Sequence, residues 1–462
     1  MSVEPEEVDR TDPELTNDRT ELPNERADLT DEQTELSKGV PASRRARVSA
    51  IAMDTRPFTY ASFRRLFYGN VLSIIGSQMT LVAVGIQVYR VTGSSAMVGY
   101  TSIFALIPLI VFGLIGGAMA DTVDRRTLVI WATIATAITS IAFFVQSAAH
   151  LNSVWLLWLL VAIQSGAAAV SRPARGAMVP RMLPAKLVPA ANTLSSGTQS
   201  LGVIIGPLIA GWSIGALSLQ WTYLGEAILL TAALASLVGI PSMPPDNPDA
   251  ATERRILGAF RDVWEGFSFL RTQPVLLMTF VVDLFAMVFG WPQAVFPALA
   301  SNTFGAGNIG WLYAGASIGA VLAGVMSGWI SRLNRHGAVI VYSIILWGLA
   351  IGAFAFASSL WLAILLLAIA GAADLVSASL RMTMLQVRTP DRMLGRMQGV
   401  FMVVVAGGPR LGDVRLGVVA AAATPAVALW SGGVVIVVAM LVVIVAARAF
   451  WNYTANQPNL GQ

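Results

Sequence analysis

The stretch GGAMADTVDRR, Gly116–Arg126, closes the second of twelve apolar segments and joins small residues to a dense run of charge. Its glycines allow another helix to approach closely. Its charges, Asp121, Asp124, Arg125 and Arg126, bring both signs together where two helix ends meet. A charged turn between two long apolar segments predicts a polytopic α-helical membrane protein rather than a soluble domain.

The composition of the whole chain agrees with this interpretation. Of the 462 residues, 55% are hydrophobic and 12% are charged, whereas about 25% of the residues of a soluble globular protein are charged. Cysteine is absent and histidine occurs twice, so neither a disulfide framework nor a Cys/His metal site is expected. No GxxxxGK[ST] loop is present, so direct use of ATP is not expected. We therefore expect no metal, no cofactor and no enzymatic activity.

Apolar windows of about 20 residues, the length that crosses a bilayer, predict twelve membrane helices. The eleventh span is the least regular, because it contains Arg410, Asp413 and Arg415. The predicted spans are roughly 66–89, 96–119, 127–148, 153–173, 190–212, 219–240, 274–299, 308–331, 337–358, 360–382, 396–420 and 425–448.

Lysine and arginine are concentrated in alternate loops between these spans. Loops after even-numbered spans carry them, whereas those after odd-numbered spans hold only Arg90. Because basic loops stay on the cytoplasmic side, we predict a plasma (inner) membrane protein with both termini in the cytoplasm. Since the basic surplus lies in short loops between apolar spans, we expect no nucleic-acid partner.

Two spacings recur six helices apart. A pair of glycines 18 residues apart occurs in spans 2 and 8, and an arginine nine residues before a proline follows spans 4 and 10. Internal repeats of this kind are typical of transporters, so we predict two related six-helix halves, 57–240 and 274–450. The pairs are Gly99 and Gly117, Gly310 and Gly328, Arg175 and Pro184, and Arg381 and Pro390.

Three segments lie outside the two halves. Residues 1–56 are acidic and polar, which predicts a disordered cytoplasmic tail. Residues 241–273 form a linker, which begins Pro-rich and ends in an amphipathic helix predicted to lie at the inner membrane surface. Residues 451–462 are predicted to form a short cytoplasmic tail.

The Gly116–Arg126 stretch resembles the loop 2–3 signature of the major facilitator superfamily, which reads G-x-x-x-D-x-x-x-R-R or similar. The resemblance implies a gating latch in which Asp121 engages a helix end of the opposite half and Arg125 pairs nearby. Simple anchoring of the loop by positive charge is the alternative. The gating loop comprises Gly117, Asp121, Asp124, Arg125 and Arg126.

Span 5 contains SLGVIIGPLIAGW, which resembles the antiporter signature of exporters in this superfamily. Glycines at four-residue spacing make a flat helix face, and a proline within a span bends the helix. Helix packing without any information on transport direction is the alternative. The residues of this motif are Gly202, Gly206, Pro207 and Gly211.

Two further stretches resemble the enterobactin-exporter branch of the superfamily. They are AVFPALASNTFGAGNIGWLYAGASIGA across spans 7 and 8, and TMLQVRTPDRMLGRMQGV between spans 10 and 11. The resemblance implies efflux of siderophores or lipophilic drugs. We therefore expect a small-molecule substrate, protons and the lipid bilayer as partners, and a monomer.

Acidic residues inside the spans are candidate proton carriers. A charge at the bilayer centre costs about 2.5–3.5 kcal/mol even on the milder insertion scale, so each must face protein or water. Asp283 and Asp374 lie in spans 7 and 10, which line the central cavity in the superfamily, and are predicted to couple protons or bind substrate. Arg410 and Asp413 are predicted to pair locally one turn apart, as a structural pair or as part of the coupling. Glu226 is predicted to be structural.

Three arginines end spans 4 and 10 on the predicted cytoplasmic side: Arg172, Arg175 and Arg381. Their long side chains are predicted to anchor the helix ends by reaching the membrane interface.

Together these features predict a secondary active exporter that works by alternating access, with proton antiport as its energy source. An uptake symporter on the same fold is the first alternative. A non-transporting membrane scaffold or lipid-handling protein is an alternative of another class. The intramembrane acids argue against a scaffold, since a scaffold has no reason to keep them.

Overall fold

The computed structural model describes residues 54–120, 122–244 and 252–454, and these are almost entirely helical. Twelve long helices, α1 to α12, are divided by a linker helix between α6 and α7. The long helices are α1 Ala61–Thr92, α2 Ser95–Ala120, α3 Arg125–Ala148, α4 Val154–Met182, α5 Val188–Ala216, α6 Leu219–Val238, the linker helix Thr252–Arg271, α7 Pro274–Gly290, α8 Ile309–Val325, α9 His336–Phe354, α10 Leu360–Arg388, α11 Asp391–Ala422 and α12 Pro425–Ala446. The short helical segments are Arg56–Thr59, Ala185–Leu187, Gln293–Val295, Phe296–Leu299, Ala300–Phe304, Ala306–Asn308, Ser327–Arg332 and Arg448–Trp451.

Among the described residues, 11 helical stretches are long and apolar enough to cross a membrane. The remaining long helix of the two halves is α11, which has 32 residues but carries Arg410, Asp413 and Arg415, and these lower its hydropathy. Despite these charges and Pro409, α11 is one uninterrupted helix. An all-α membrane fold is therefore confirmed.

The seventh spanning stretch is broken, although it runs from Pro274 to Phe304. Its first part, α7, ends at Gly290 because Pro292 follows closely. A residue before proline is driven out of the α region, and Trp291 accordingly has an extended backbone with φ −75° and ψ 117°. Short helical turns then carry the chain to the end of the span.

Side-chain caps fix the start of several membrane helices. Ser153, Ser359 and Thr424 cap α4, α10 and α12 by accepting hydrogen bonds from backbone N–H groups in the first turn. Such a cap satisfies one of the amide donors that every helix start leaves free. In a bilayer this matters more than in water, because lipid offers no replacement partner.

Helix packing repeats between the two halves. In the first half α1 packs on α5 and α6, α2 on α4, and α3 on α4 and α6. In the second half the corresponding helices pack in the same pairs: α7 on α11 and α12, α8 on α10, and α9 on α10 and α12. This correspondence agrees with the repeat predicted from the residue spacings.

The two halves meet at the end of the bundle where α1 finishes and α2 begins. There α2 packs on α11 and α5 packs on α8, at points where glycine replaces a side chain. A Cβ atom added to Gly211 would lie 2.7 Å from the backbone nitrogen of Gly310, and Gly99 and Gly417 lie equally close to backbone across the α2–α11 contact. We call this end the outer end, since the basic loops predict that it faces away from the cytoplasm, and the two contacts together the outer seam.

Towards its opposite, inner end, α2 packs on the linker helix, but two of its glycines face open space. A Cβ atom added to Gly113 or Gly117 would meet none of the described atoms within 4 Å. The two halves are therefore in close contact at the outer end, and α2 leaves free space beside Gly113 and Gly117 towards the inner end.

The linker helix packs against the start of α11. Its Val263 lies over Gly399, and its Leu270 is 2% exposed, whereas Trp264 on another face is 70% exposed. Asp262 pairs with Arg396 of α11 at 3.0 Å. A helix thus lies within the predicted linker, whereas its place at the inner membrane surface stays a prediction; the side chains of Ile256 and Phe260 in its first turns lie outside those that the structure describes.

We expect Gly211→Val to open the outer seam. The new side chain would clash with backbone atoms of α8, which cannot move aside as a flexible side chain could, and overpacking of this kind costs about 1–3 kcal/mol. Because the chain has no cysteine, nitroxide labels at Leu217→Cys and Thr303→Cys can measure the distance across the seam. Longer distances are expected for Gly211→Val and unchanged distances for Gly113→Val, whose side chain enters open space. Equal distance distributions for the two variants would contradict the packing described here.

Candidate functional site

A buried ion cluster lies in the second half, between α7 and α10. Asp374 and Arg381 are seven residues apart on α10, which places them on the same helix face. The Arg381 guanidinium forms an ion pair with Asp283 of α7, and lies 3.6 Å from Asp374. The side chains of Arg381 and Asp283 are 8% and 6% exposed, whereas that of Asp374 is 35% exposed. We call these three residues the Arg381 cluster.

The prediction that Arg381 anchors a helix end at the membrane interface is wrong. Instead of reaching outward, its side chain points into the bundle and binds an acid on a neighbouring helix. Narrow cavities flank the cluster, one towards Phe280 and Phe401 and another towards Trp347. The Arg381 Nε atom is buried and has no hydrogen-bond partner among the described residues.

The charges in the cluster do not balance. Two carboxyl groups share one guanidinium, so the cluster carries a net charge of −1 unless one carboxyl binds a proton. In a low-dielectric interior an uncompensated charge is costly, and one proton on a carboxyl would balance the charge of the cluster. The arrangement can therefore bind and release one proton, and the half-exposed Asp374 is the member that water can reach.

The predicted local pair of Arg410 and Asp413 is absent: no ion pair within 4.0 Å joins them, although both lie in the described part of the chain. Asp413 instead crosses to the other half and accepts a hydrogen bond of 2.6 Å from the Ser102 hydroxyl of α2. Asp413 is 3% exposed, while Arg410 is only partly buried and its charge acts on Arg172 of α4. The i, i+3 spacing permits a local pair, but in the structure Asp413 bonds to a hydroxyl donor from the opposite half instead.

The gating loop is bound within its own half. Asp124 caps α3 by accepting from the backbone N–H of Thr127 at 2.9 Å, and it also accepts from the N–H of Met243 at 2.8 Å. The Arg126 guanidinium donates to the carbonyl of Val238 at 2.8 Å, and Arg125 donates to the carbonyl at the end of α2. These bonds tie the loop to the end of α6 and the start of the linker.

Asp121, the acid of the predicted latch, lies outside the described residues. Gly117 faces open space at the inner end. The engagement of Asp121 with the opposite half therefore stays a prediction, and it belongs to a state in which the inner end is closed.

The glycine motif of α5 has two neighbours. Gly202 packs on Ile74 of α1, and Gly206 on the next turn of the same helix. Gly211 and the carbonyl of Pro207 lie against Gly310 of α8. The first two glycines of the motif thus pack α5 on α1 of its own half, and Gly211 forms part of the outer seam.

Charged groups of the first half have neutral partners, which the sequence did not indicate. Glu226, fully buried in α6, accepts from Thr80 of α1 and from the Gln164 amide of α4 at 2.8 Å. Arg175 donates to the hydroxyls of Ser171 at 2.8 Å and Thr133 at 3.2 Å. Because of these internal bonds, Arg175 is not the interface anchor that was predicted, whereas the bonds of Glu226 fit its predicted structural role.

Comparison with known proteins identifies the family to which this chain belongs. Residues 52–459 match the family described as transmembrane secretion effector, MFS_3. The chain belongs to this family of the major facilitator superfamily. It is therefore a multi-pass membrane transporter, as the loop 2–3 signature and the apolar spans predicted.

Curated relatives in the family are exporters. The chain is 28% identical over 368 residues to the enterobactin exporter EntS of Shigella boydii serotype 18, covering 79% of this chain and 87% of the relative. The identity and coverage are the same for EntS of Escherichia coli O81.

Solved structures with this fold include more distant transporters. A peptide transporter of the POT family in complex with sulfate has a TM-score of 0.68 at 12% identity, over 86% of this chain and 99% of that chain. The nucleoside transporter NupG has a TM-score of 0.65 at 17% identity, over 84% and 98% of the two chains. At these identities the likeness shows the fold alone.

We expect Arg381→Gln to destabilise the protein strongly, because it leaves two carboxyl groups without their cation. Removing one partner of a buried ion pair costs about 3–5 kcal/mol. The double variant Asp283→Asn with Arg381→Gln should recover much of this loss, since it also removes the buried acid. Thermal unfolding in detergent measures both, with Arg392→Gln on the exposed start of α11 as the control. An Arg381→Gln protein as stable as the control would show that the pair does not form.

Asp124 should stabilise the protein in a pH-dependent way. Partial burial raises the pKa of its carboxyl, but hydrogen bonds from Ser242 and from the N–H groups of Thr127 and Met243 outweigh that effect. The net pKa therefore lies below the usual 3.8. A lowered native pKa gives stability that is present above pH 3.8 and is lost as pH falls through the native pKa.

The variant Asp124→Ala tests this dependence. At pH 7 it should be less stable than the wild type by about 1 kcal/mol, the usual value of an N-cap, and the charge-dependent part of this difference should shrink towards pH 3. Thermal unfolding across this range measures it, with Asp391→Ala, in the first turn of α11, as a matched control. A difference that grows on acidification would contradict the assignment.

Proposed function

We propose that this chain is a proton-driven exporter of a siderophore-like or lipophilic small molecule that works by alternating access. The Arg381 cluster is the observation that carries the proposal, because it places two carboxyls and one guanidinium where one proton decides the net charge. The similarity to curated enterobactin exporters and the glycine motif of α5 support the direction of transport.

The cluster supplies a route for coupling. When Asp374 is protonated, Arg381 is bound by Asp283 alone, as the closer pair in the structure indicates. When Asp374 loses its proton to the cavity, it competes for the same guanidinium and weakens the hold of Arg381 on α7. Protonation at the exposed acid thus changes a contact between α7 and α10, two helices that line the central cavity in the superfamily.

The proton gradient supplies enough free energy for modest accumulation. One charge moving through 100 mV releases about 2.3 kcal/mol. Since 1.36 kcal/mol corresponds to a factor of ten, one proton exchanged for one neutral substrate supports a gradient of about fifty-fold.

Two arginines of opposite halves, Arg172 and Arg410, favour a substrate that carries an acidic group. Arg172 of α4 is exposed and Arg410 of α11 is partly buried, and they belong to opposite halves. Neither has a carboxylate within 4.0 Å among the described residues, and the charge of Arg410 acts on Arg172. Two neighbouring cations that lack an ion-paired carboxylate are stabilised when an anion lies between them. A catecholate, the chemistry of enterobactin, would meet this requirement, and a neutral drug would not.

Transport by inside-out membrane vesicles tests the direction. With an inward-directed proton gradient relative to the cell, an exporter accumulates labelled enterobactin or a lipophilic fluorescent drug inside such vesicles. Accumulation in right-side-out vesicles would instead establish the uptake symporter. Absence of movement of every probe in both orientations would favour the scaffold.

We expect Asp283→Asn and Asp374→Asn to abolish proton-linked export while leaving exchange of labelled for unlabelled substrate intact. Each variant removes a carboxyl that the coupling needs, but exchange requires no net proton movement. Export and counterflow assays in proteoliposomes separate the two, with Asp391→Asn outside the cluster as the control. Wild-type proton-linked export in both cluster variants would remove the Arg381 cluster from the mechanism.

A further inference from the structure

A second copy of the glycine motif lies in α11. The motif in α5 reads GVIIGPLIAG over 202–211, and α11 reads GPRLGDVRLG over 408–417. Each copy has glycines at the first, fifth and tenth positions, and the two copies are 206 residues apart, the same offset that separates Arg175 from Arg381. The sixth position differs, since α5 has Pro207 and α11 has Asp413.

The structure gives the two copies equivalent surroundings. Gly206 packs on α1, and Gly412 packs on the corresponding helix of the other half, α7, at Met287 and Trp291. The backbone carbonyl of Pro207 lies against Gly310 of α8, and in the same way the carbonyl of Asp413 lies against Gly99 of α2. The two copies therefore build the two contacts of the outer seam.

The copies differ in chemistry at the point where the halves touch. The α5–α8 contact is built from glycine and apolar residues, whereas the α2–α11 contact contains a buried carboxyl. Ser102 of α2 donates to one carboxyl oxygen of Asp413 at 2.6 Å. The other oxygen, Oδ1, is buried beside the backbone N–H of Ala294, at a geometry too poor for a full hydrogen bond.

Few charged or titratable groups face Asp413. On its own helix the Arg410 charge acts on it, and from α8 the phenol of Tyr313 does so. α2 contributes the Ser102 hydroxyl and the chain after α7 the Ala294 amide. Arg415, on the same helix, is directed elsewhere, to the carbonyls of Phe289 and Ala428 and the hydroxyl of Ser431.

We propose that Asp413 is a proton-binding site of the outer seam, and that the seam is closed when Asp413 is protonated and opens when it is ionised. The proposal rests on alternating access by this chain but not on coupling through the Arg381 cluster. The step is a proton transfer in which water from the outside gives a proton to the carboxylate, and no other bond is made or broken.

The burial of Asp413 explains why its protonation, rather than its ionisation, favours the closed seam. In the closed seam Asp413 is out of contact with water, and burying an ionised carboxyl costs several kcal/mol unless a cation and hydrogen bonds satisfy it. Ser102 satisfies one oxygen, and Arg410 offsets part of the charge without forming an ion pair. When the seam opens, water hydrates the carboxylate at no such cost. Binding of an external proton therefore favours closure, which makes proton entry accompany the return of the empty carrier.

Distance measurements across the seam test the proposal without any need for a substrate. Because the chain contains no cysteine, labels at Arg90→Cys and Ala423→Cys report on the outer end alone, and labels at Lys186→Cys and Arg392→Cys report on the inner end. In the full-length protein in nanodiscs, the outer distances should be short at pH 5 and longer at pH 8. A single proton changes the ratio of closed to open molecules by at most about tenfold per pH unit. The inner distances should change in the opposite direction.

Asp413→Asn should keep the outer distances short at both pH values, since the amide carries no charge. Ser102→Ala should lengthen them at pH 5, because the closed seam loses its hydrogen bond. Asp391→Asn, which removes an acid away from both the seam and the Arg381 cluster, should keep the wild-type pH response. If Asp413→Asn fails to fold, the outer distances of Ser102→Ala at pH 5 test whether the hydrogen bond to Asp413 keeps the seam closed.

Two results would overturn the proposal. One is a pH response of the outer distances that persists unchanged in Asp413→Asn, and the other is a wild-type seam that does not respond to pH at all. Neither result bears on export. Wild-type export by Asp283→Asn would contradict the proposed function, whereas an unchanged seam response in Asp413→Asn would contradict only the role of Asp413.

Discussion

The close backbone contact at the outer seam determines how the two halves of this protein are arranged. Lipid chains are as apolar as leucine, so helices in a bilayer gain little from hiding apolar side chains and associate where small residues allow close van der Waals contact. In α5 and α8 Gly211 meets Gly310, and in α2 and α11 Gly99 meets the backbone at Asp413. Contacts this close cannot loosen gradually, because a small separation forfeits much of the attraction. The seam is therefore suited to two states, closed and parted, which alternating access requires.

The cost of buried charge is the second constraint, and the two halves meet it differently. At equivalent positions 206 residues apart, Arg175 has two hydroxyl partners whereas Arg381 has two carboxyls. Glu226 in the first half is held by neutral donors. The two halves thus share the same helix packing but differ in the partners of their buried charged side chains. The first half resembles a fixed polar scaffold, and the second half holds the buried ion pair of Arg381 with Asp283.

The sequence predicted the features that depend on composition and period. Apolar length located the spans, charge set α11 apart from the others, and repeated spacings indicated two halves. What it could not predict depends on how helices rotate about their axes. Spacing alone shows that Arg381 and Asp374 share a face, but not that Asp283 of α7 faces them. Likewise Arg410 and Asp413 could pair in an isolated helix, and their spacing does not show that Asp413 bonds to Ser102 of the other half instead. The 206-residue offset was visible in the sequence, and extending it to α11 would have identified Asp413 as the counterpart of Pro207.

The Arg381 cluster and Asp413 are mechanically connected through the packing of α11 on α7. Gly408 and Gly412 let α11 lie directly against Met287, which is one helical turn from Asp283 on α7. Weakening of the ion pair between Arg381 and Asp283 would let α7 shift at the face that α11 covers. When the seam opens, α11 moves over the same face of α7. Because these glycines leave no side chains to absorb a displacement, movement of one helix is transmitted to the other rather than lost in repacking. If both acids bind protons as we propose, they can thus influence each other although no hydrogen bond joins them, and proton binding at one changes the free energy of proton release at the other.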